Sequence, residues 1–308
     1  MIHSLRHFAL GVPDLQAGSD FYTTFGLNQR ASSGRELFFR CDGREHDEIV
    51  LRETGQNRKF QHISFGADRK GFDQIANALR ERGGSTEKPP SSDAPDGLWF
   101  RDPDGNLVNV HIATKASARA ETAPIVNYPG AFTRVSKRGC PSPSIAARPR
   151  RLGHMILFTP NVPRQMQFYC DVLGMKVSDT LVEEYGAFLR VAGDSDHHVL
   201  GLLNSQAPGF HHASFEVGNI DEAELGALRL KGKGFRHAWG PGRHAIGSNY
   251  FHYFRDPWNG MAEYFYDIDF VSKDLEWAPK EWTKKDGMFL WSADGPPPPD
   301  FGRNYELE

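Results

Sequence analysis

Two stretches of this chain repeat one pattern. HFALGVPDLQAGSDFYTTFGL begins at His7 and HMILFTPNVPRQMQFYCDVLGM at His154, so that His7, Pro13 and Phe21-Tyr22 map onto His154, Pro160 and Phe168-Tyr169 at one constant offset of 147 residues. Further on, QHISFGAD around His62 answers HHASFEVG around His212, and FRDPDGNLVNVHI answers FRDPWNGMAEYFY. Self-similarity over this distance marks a tandem duplication, and each copy must bury its own apolar face.

Each copy divides again. An apolar strand such as HFALGV precedes the helical LQAGSDFYTTF, then come a turn-rich stretch and the alternating strands ELFFRC and EIVLRE. The second quarter keeps this order, with QHISFGA, the amphipathic GFDQIANALRERGG, GLWFRD and LVNVHIA. The pattern predicts an α+β fold of four βαβββ modules, two per domain. Residues 1–113 would form the first domain, 114–150 a Pro-, Ala-, Ser- and Arg-rich crossover, 151–268 the second domain and 269–308 a tail.

At 308 residues there is length for two ordinary domains. The charge is close to balanced, 36 basic against 39 acidic residues, which gives no electrostatic case for nucleic acid or an anionic membrane surface. Cys41, Cys140 and Cys170 are scattered and form no CxxC, which argues against a disulfide framework or zinc ribbon. No apolar run reaches membrane-spanning length and the first residues lack a signal-peptide pattern, so a reducing cytoplasm is the expected compartment.

The copies differ at their polar positions. His7, His62 and Asn109 in the first correspond to His154, His212 and Glu263 in the second, so only the second has a carboxylate. Two imidazoles and one carboxylate on one face of a metal leave the opposite positions open, the donor set that suits non-haem Fe(II) and oxygen, with Mn(II) equally accommodated. The His211-His212 doublet needs a phase, since neighbours on a strand face opposite sides. Alignment of HISF with HASF selects His212 as ligand and leaves His211 on the outer face or as a donor behind the ligand. A single strand histidine is usually a packing residue, and Glu263 has Arg255 and Arg243 nearby in sequence. Three such residues in register with a degenerate copy favour the metal, and Asn109 marks the first domain as scaffold.

The second half, from about Leu152 to Tyr266, resembles the catalytic domain of type I extradiol catechol dioxygenases of the vicinal oxygen chelate superfamily, whose members are built from paired βαβββ modules. GPGRHAIGSNYFHYFRDPWNGMAEYF is especially similar to the homoprotocatechuate 2,3-dioxygenase branch. The resemblance implies iron ligands at His154 in LGHMIL, His212 in FHHASF and Glu263 in GMAEYF. It also implies catalytic roles for His198 in DHHVLGL, His244 in PGRHAI and Tyr253 in FHYFRDP, with His197 the competing candidate for the oxygen-side histidine. His198 would accept and return a hydroxyl proton, while His244 and Tyr253 would hydrogen-bond substrate oxygens. The implied partners are a small aromatic diol and O2, in a homo-oligomer.

Ile156 stands where the homoprotocatechuate branch has Asn, and the tail lacks an arginine pair, with Lys284-Lys285 as substitutes. An apolar or aryl substituent is therefore expected, against a pocket lined by Ile156 and Phe188. Trp277, Trp282, Phe289 and Trp291 predict a tail folded over the active-site mouth, because so many aromatic rings are costly to leave in water. His252 and Phe254 are read as packing and Asp256-Pro257 as a structural turn. The alternatives are cleavage of a non-catechol ring such as a hydroquinone, or a binding protein without chemistry, which has no need of the triad. Glyoxalases and thiol transferases of the superfamily take ligands from both halves, against which Asn109 speaks.

Overall fold

The computed structural model describes residues 1–30, 34–92, 94–116 and 126–307. Part of the predicted crossover, 117–125, lies outside the described residues. The first half runs β1 (Ile2–Val12), α1 (Leu15–Phe25), β2 (Asn28–Gln29), β3 (Glu36–Arg40), β4 (Ile49–Glu53), β5 (Lys59–Ala67), α2 (Arg69–Glu81), β6 (Leu98–Arg101) and β7 (Leu107–Ile112). These strands form one seven-stranded sheet in the order β2-β3-β4-β1-β5-β7-β6.

The second half repeats the plan with β8 (Arg151–Thr159), α3 (Val162–Leu173), β9 (Lys176–Leu181), β10 (Gly186–Arg190), β11 (Ser195–Asp196), β12 (Leu200–Asn204), β13 (Gly209–Glu216), α4 (Ile220–Gly232), β14 (His237–Arg243), β15 (Tyr250–Arg255) and β16 (Met261–Tyr266). The tail adds β17 (Phe270–Val271), β18 (Lys280–Trp282), α5 (Lys284–Gly287) and β19 (Trp291–Ser292). The second sheet has ten strands, β18-β9-β10-β12-β8-β13-β16-β15-β14-β19, and β11 pairs with β17 apart from it.

One module departs from the expected βαβββ order. After α2 only β6 and β7 follow among the described residues. The stretch between them and the helix contains Pro89, Pro90 and Pro95, which remove ladder donors. A single bond from Glu87 N to Trp99 O survives where a third strand would pair.

Matching local signals start and stop the matching helices. Asp14 accepts from Ala17 N at the start of α1 and Asn161 from Arg164 N at the start of α3; Gly26 and Gly174 end them in the left-handed region. Gly26 has a second reason to be glycine, because a Cβ there would lie 2.2 Å from Ala147 O of the crossover.

The halves share one continuous core. Phe25 of α1 stacks on Tyr264 of β16 at 4.0 Å between ring centroids, and Tyr264 Oη donates to Phe25 O. The two Asp-Pro turns serve this junction. Asp102 of the first half accepts from Gln165 and Tyr169 of α3, and burial raises its carboxyl to about 6. Its repeat partner Asp256 lies by Arg58, across the same junction. The tail pairs with both outer strands of the large sheet, β18 with β9 and β19 with β14. Among the described residues no helix is long and apolar enough to cross a membrane.

Candidate metal centre

Register brings the predicted residues to one face of the large sheet. Ser214 of β13 pairs with His154 of β8 on one side and with Glu263 of β16 on the other, and Tyr253 of β15 pairs in turn with Glu263. Residues directly opposite across a ladder share a face, as do residues two apart on a strand. His212 therefore joins them, and so do Ile156, paired with Gly201, and Phe188, paired with Gly201 from the other side.

The ligand atoms of His154, His212 and Glu263 lie within 4.8 Å of one another, and all three residues are buried. His154 Nε2 is 3.2 Å and His212 Nε2 3.3 Å from the same oxygen, Oε2 of Glu263. Burial alone would push the Glu263 carboxyl up, but the two adjoining imidazoles hold it well below the usual carboxylate range. Asn249 Nδ2 donates to the other oxygen, Oε1, at 3.3 Å. The buried His212 Nε2 makes no hydrogen bond. An unpaired buried nitrogen facing a carboxylate oxygen and a second imidazole fits a divalent cation.

Of the two places expected for His211, the outer face or a donor position behind the ligand, the doublet takes the second. A bulge between Phe210 and His212, where the pairing with β8 shifts, leaves His211 as the extra residue. Its ring then lies 4.8 Å from that of His212 instead of on the opposite face. His211 Nε2 donates to Phe301 O of the tail at 2.8 Å, and the two Nδ1 atoms are 2.6 Å apart. A carbonyl oxygen only accepts, so neutral His211 has its proton on Nε2 and accepts at Nδ1. His212 must then donate from Nδ1, which leaves Nε2 bare, as a ligand atom requires.

His198 and His197, just before β12, are both buried. The His198 ring lies 4.3 Å from that of His154 and 5.1 Å from that of Phe188, so His198 is the one facing the centre. Burial and the surrounding imidazoles hold His198 well below the ordinary histidine range, and therefore neutral. His197 turns outward, with Nε2 3.2 Å from Asp179 Oδ2.

His244 donates from Nδ1 to Met288 O and accepts at Nε2 from Tyr253 Oη at 2.9 Å. Burial lowers His244 to about 4, against the opposing pull of Glu263 and Met288 O. Burial and the Glu263 charge raise Tyr253 well above its ordinary value. A neutral imidazole and a protonated phenol therefore stand beside the triad. His252, read as packing, is buried and bonds Glu224 at 2.8 Å away from the centre.

Ile156, Ile246 and Leu181 form an apolar cluster with Phe188 and Trp282 packed on it. Gly201 makes room for it, because a Cβ there would come within 2.2 Å of Ile156 Cδ1. Lys284 and Lys285 are exposed, and Lys284 Nζ sits 3.6 Å from the Tyr185 ring centroid. Sequence reasoning assigned no role to Asn249, Asp179 or Gly201. Asn249 was visible in the Ser-Asn of the motif, whereas Asp179 is brought in from a distant strand and has no local signal.

The model of the Glyoxalase/Bleomycin resistance protein/Dioxygenase superfamily matches residues 4–110 and 151–264, the two halves found above. The chain is 36% identical to metapyrocatechase 2 of Cupriavidus necator over 302 residues, 96% of this chain and 90% of that protein. It is 23% identical to an iron-dependent extradiol dioxygenase of Rhodococcus jostii, over 95% of this chain and 97% of that one. Among solved structures, a Mn(II)-bound glyoxalase from Novosphingobium aromaticivorans superposes with a TM-score of 0.78 at 26% identity, covering 97% of this chain and 93% of its own. Homoprotocatechuate 2,3-dioxygenase of Brevibacterium fuscum shares the fold with a TM-score of 0.76 at 20% identity, over 97% and 91%. With its two matched domains and a metapyrocatechase relative spanning nearly its whole length, the chain belongs to this superfamily and, within it, to the extradiol ring-cleaving dioxygenases.

Proposed function

We propose that the chain opens a catechol with O2 at the carbon–carbon bond beside the two hydroxyls, on Fe(II) held by His154, His212 and Glu263. The observation that carries this reading is the convergence of two imidazole nitrogens on one buried carboxylate oxygen in the half that kept its glutamate. Bound there, the metal would supply coordination sites that hold diol and oxygen side by side. Both oxygen atoms stay in the product, one in a new carboxylate and one in a new aldehyde, so a muconic semialdehyde forms and no external reductant is consumed.

The chain's own residues do the rest. His198, neutral and beside His154, accepts a catechol hydroxyl proton at Nε2, the nitrogen without a protein partner among the described residues, and returns it later. Tyr253 and His244 form a hydrogen-bonded pair that orients a substrate oxygen and stabilises charge on it. Ile156, Phe188 and Ile246 exclude water and favour an apolar or aryl ring substituent, in agreement with the exposed position of the two lysines.

The test is anaerobically Fe(II)-loaded protein mixed with air-saturated buffer and a catechol panel, from methyl- and aryl-substituted to carboxylated. Yellow product with one O2 consumed per ring is expected, best with an apolar substituent. Bound iron with no product from any catechol would shift the reading to a non-catechol ring. A Mn(II)-loaded sample belongs in the same experiment, since a curated relative from Geobacillus is a manganese-dependent 2,3-dihydroxybiphenyl 1,2-dioxygenase. Higher turnover with Mn(II) would replace iron in the proposal.

A further inference from the structure

Two histidine doublets stand behind the centre, and they are built alike. In each, the outer ring is anchored at Nε2 and meets the inner ring through paired Nδ1 atoms, at 2.6 Å for His211-His212 and 3.1 Å for His197-His198. In the first doublet the anchor is the Phe301 carbonyl. In the second it is Asp179, a carboxylate that accepts from Lys280 N at 2.8 Å, from Trp282 Nε1 at 2.8 Å and faces His197 Nε2 at 3.2 Å. The amide and indole groups only donate, so Asp179 acts as acceptor throughout. Burial pushes its carboxyl up, but the bonds from His197, Lys280 and Trp282 prevail and keep it below its ordinary value.

We propose that Asp179 and His197 are positioning residues that fix His198 in the tautomer with its proton on Nδ1 and its bare Nε2 available to substrate. With neutral His197 donating from Nε2 to Asp179, its Nδ1 is left to accept, and the proton that satisfies the 3.1 Å contact is then the one on His198 Nδ1. An oriented imidazole with the wrong nitrogen protonated is no base, whatever its position. The chain of bonds is buried from end to end. It also depends on the tail, because Lys280 and Trp282 belong to β18, paired along β9 where Asp179 sits. The docked tail thus completes the support of a residue at the centre.

This inference rests on the proposed role of His198, so its test has one readout that needs no catalysis. Nitrogen-15 NMR of histidine-labelled, Zn(II)-loaded full-length chain reads the tautomer directly, with a His198→Gln sample to assign the signal. The expected result is protonated-type Nδ1 and bare-type Nε2 in the parent chain, replaced by a mixture in His197→Leu and Asp179→Ala. With Fe(II), His197→Leu should lower kcat about 10²-fold or more while metal content and catechol KM stay within about threefold. His197→Gln, whose amide donates on one side and accepts on the other, should restore kcat to within about tenfold of the parent. Should Asp179→Ala fail to fold, the Leu and Gln pair at position 197 decides alone.

A parent chain with Nε2 of His198 protonated would overturn the proposal, as would a His197→Gln variant no better than His197→Leu. If no catechol is opened by the parent chain while the tautomer pattern appears as expected, the functional reading fails and the positioning stands.

Discussion

The two halves carry the same backbone plan to opposite ends. Ser64 and Ser214 occupy equivalent places, each flanked in register by the first histidine and by position 109 or 263. In the first half the equivalent polar groups bond one another, although His62 Nδ1 is left without a partner. His7 Nε2 and His62 Nε2 bond each other at 2.9 Å, and Ser64 Oγ donates to Asn109 Oδ1 at 2.6 Å. In the second half Glu263 stands between its two imidazoles, and Ser214 Oγ and His212 Nε2 have no hydrogen-bond partner. One exchange of amide for carboxylate separates two imidazoles bonded to each other from two imidazoles converging on an anionic oxygen.

The largest effect should come from removing that difference. Glu263→Ala should lower metal affinity by more than the ~10–100-fold that loss of a supporting hydrogen bond costs, with activity falling in step. Full metal occupancy and turnover in this variant, by metal analysis and oxygen uptake, would break the comparison. Next in size, Phe25→Ala in the first half should cost about 3–5 kcal/mol in denaturant unfolding, because its ring is buried against Tyr264 of the second. Separate transitions for the two halves in the parent chain would contradict the shared core.

A smaller effect is expected from pH. Burial lowers native His62 to about 3, whereas an unfolded histidine takes its proton near ~6.5. The unfolded chain therefore binds the proton first as pH falls, and native stability declines through the window from about 6.5 to 3, by at most ~1.4 kcal/mol per pH unit from this group. Unfolding midpoints of His62→Phe should fall less steeply across that window than those of the parent. The smallest expected effect is on metal. His7→Phe should change stoichiometry by nothing measurable, since the first half lacks the carboxylate; loss of bound metal would mean that the first half shares in the centre.

Much of this contrast was legible in the sequence because duplication supplies its own control. His62 in HISF fixed the phase of His212, and Asn109 against Glu263 pointed to the half where three candidate ligands converge. What escaped notice depends on irregularity or on distance. Alternation alone leaves His211 on the outer face or behind the ligand, and the bulge that brings both rings to one side decides between them. The partner of His197, Asp179, has no local signal, because a strand pairing places it beside that ring from 18 residues away. Among the described residues the second module lacks a third strand, and Pro89, Pro90 and Pro95 are the local reason, which strand periodicity does not register.

Glu306, near the end of the tail, lies between the two halves. Its Oε1 accepts from Phe60 N and Phe210 N, both at 3.1 Å, and pairs with Arg58 at 3.2 Å, so one carboxylate ties β5 of one half to β13 of the other. Arg58 and Glu306 are separated by 248 residues and both are buried. During synthesis, at roughly 5–20 residues per second, each half has time to fold before this latch emerges from the ribosome. This latch is thus expected to be the last of the contacts between the halves to form. A nascent chain stalled before residue 306 would leave Arg58 with the Asp256 carboxylate alone, and Phe60 N and Phe210 N without the acceptor they share.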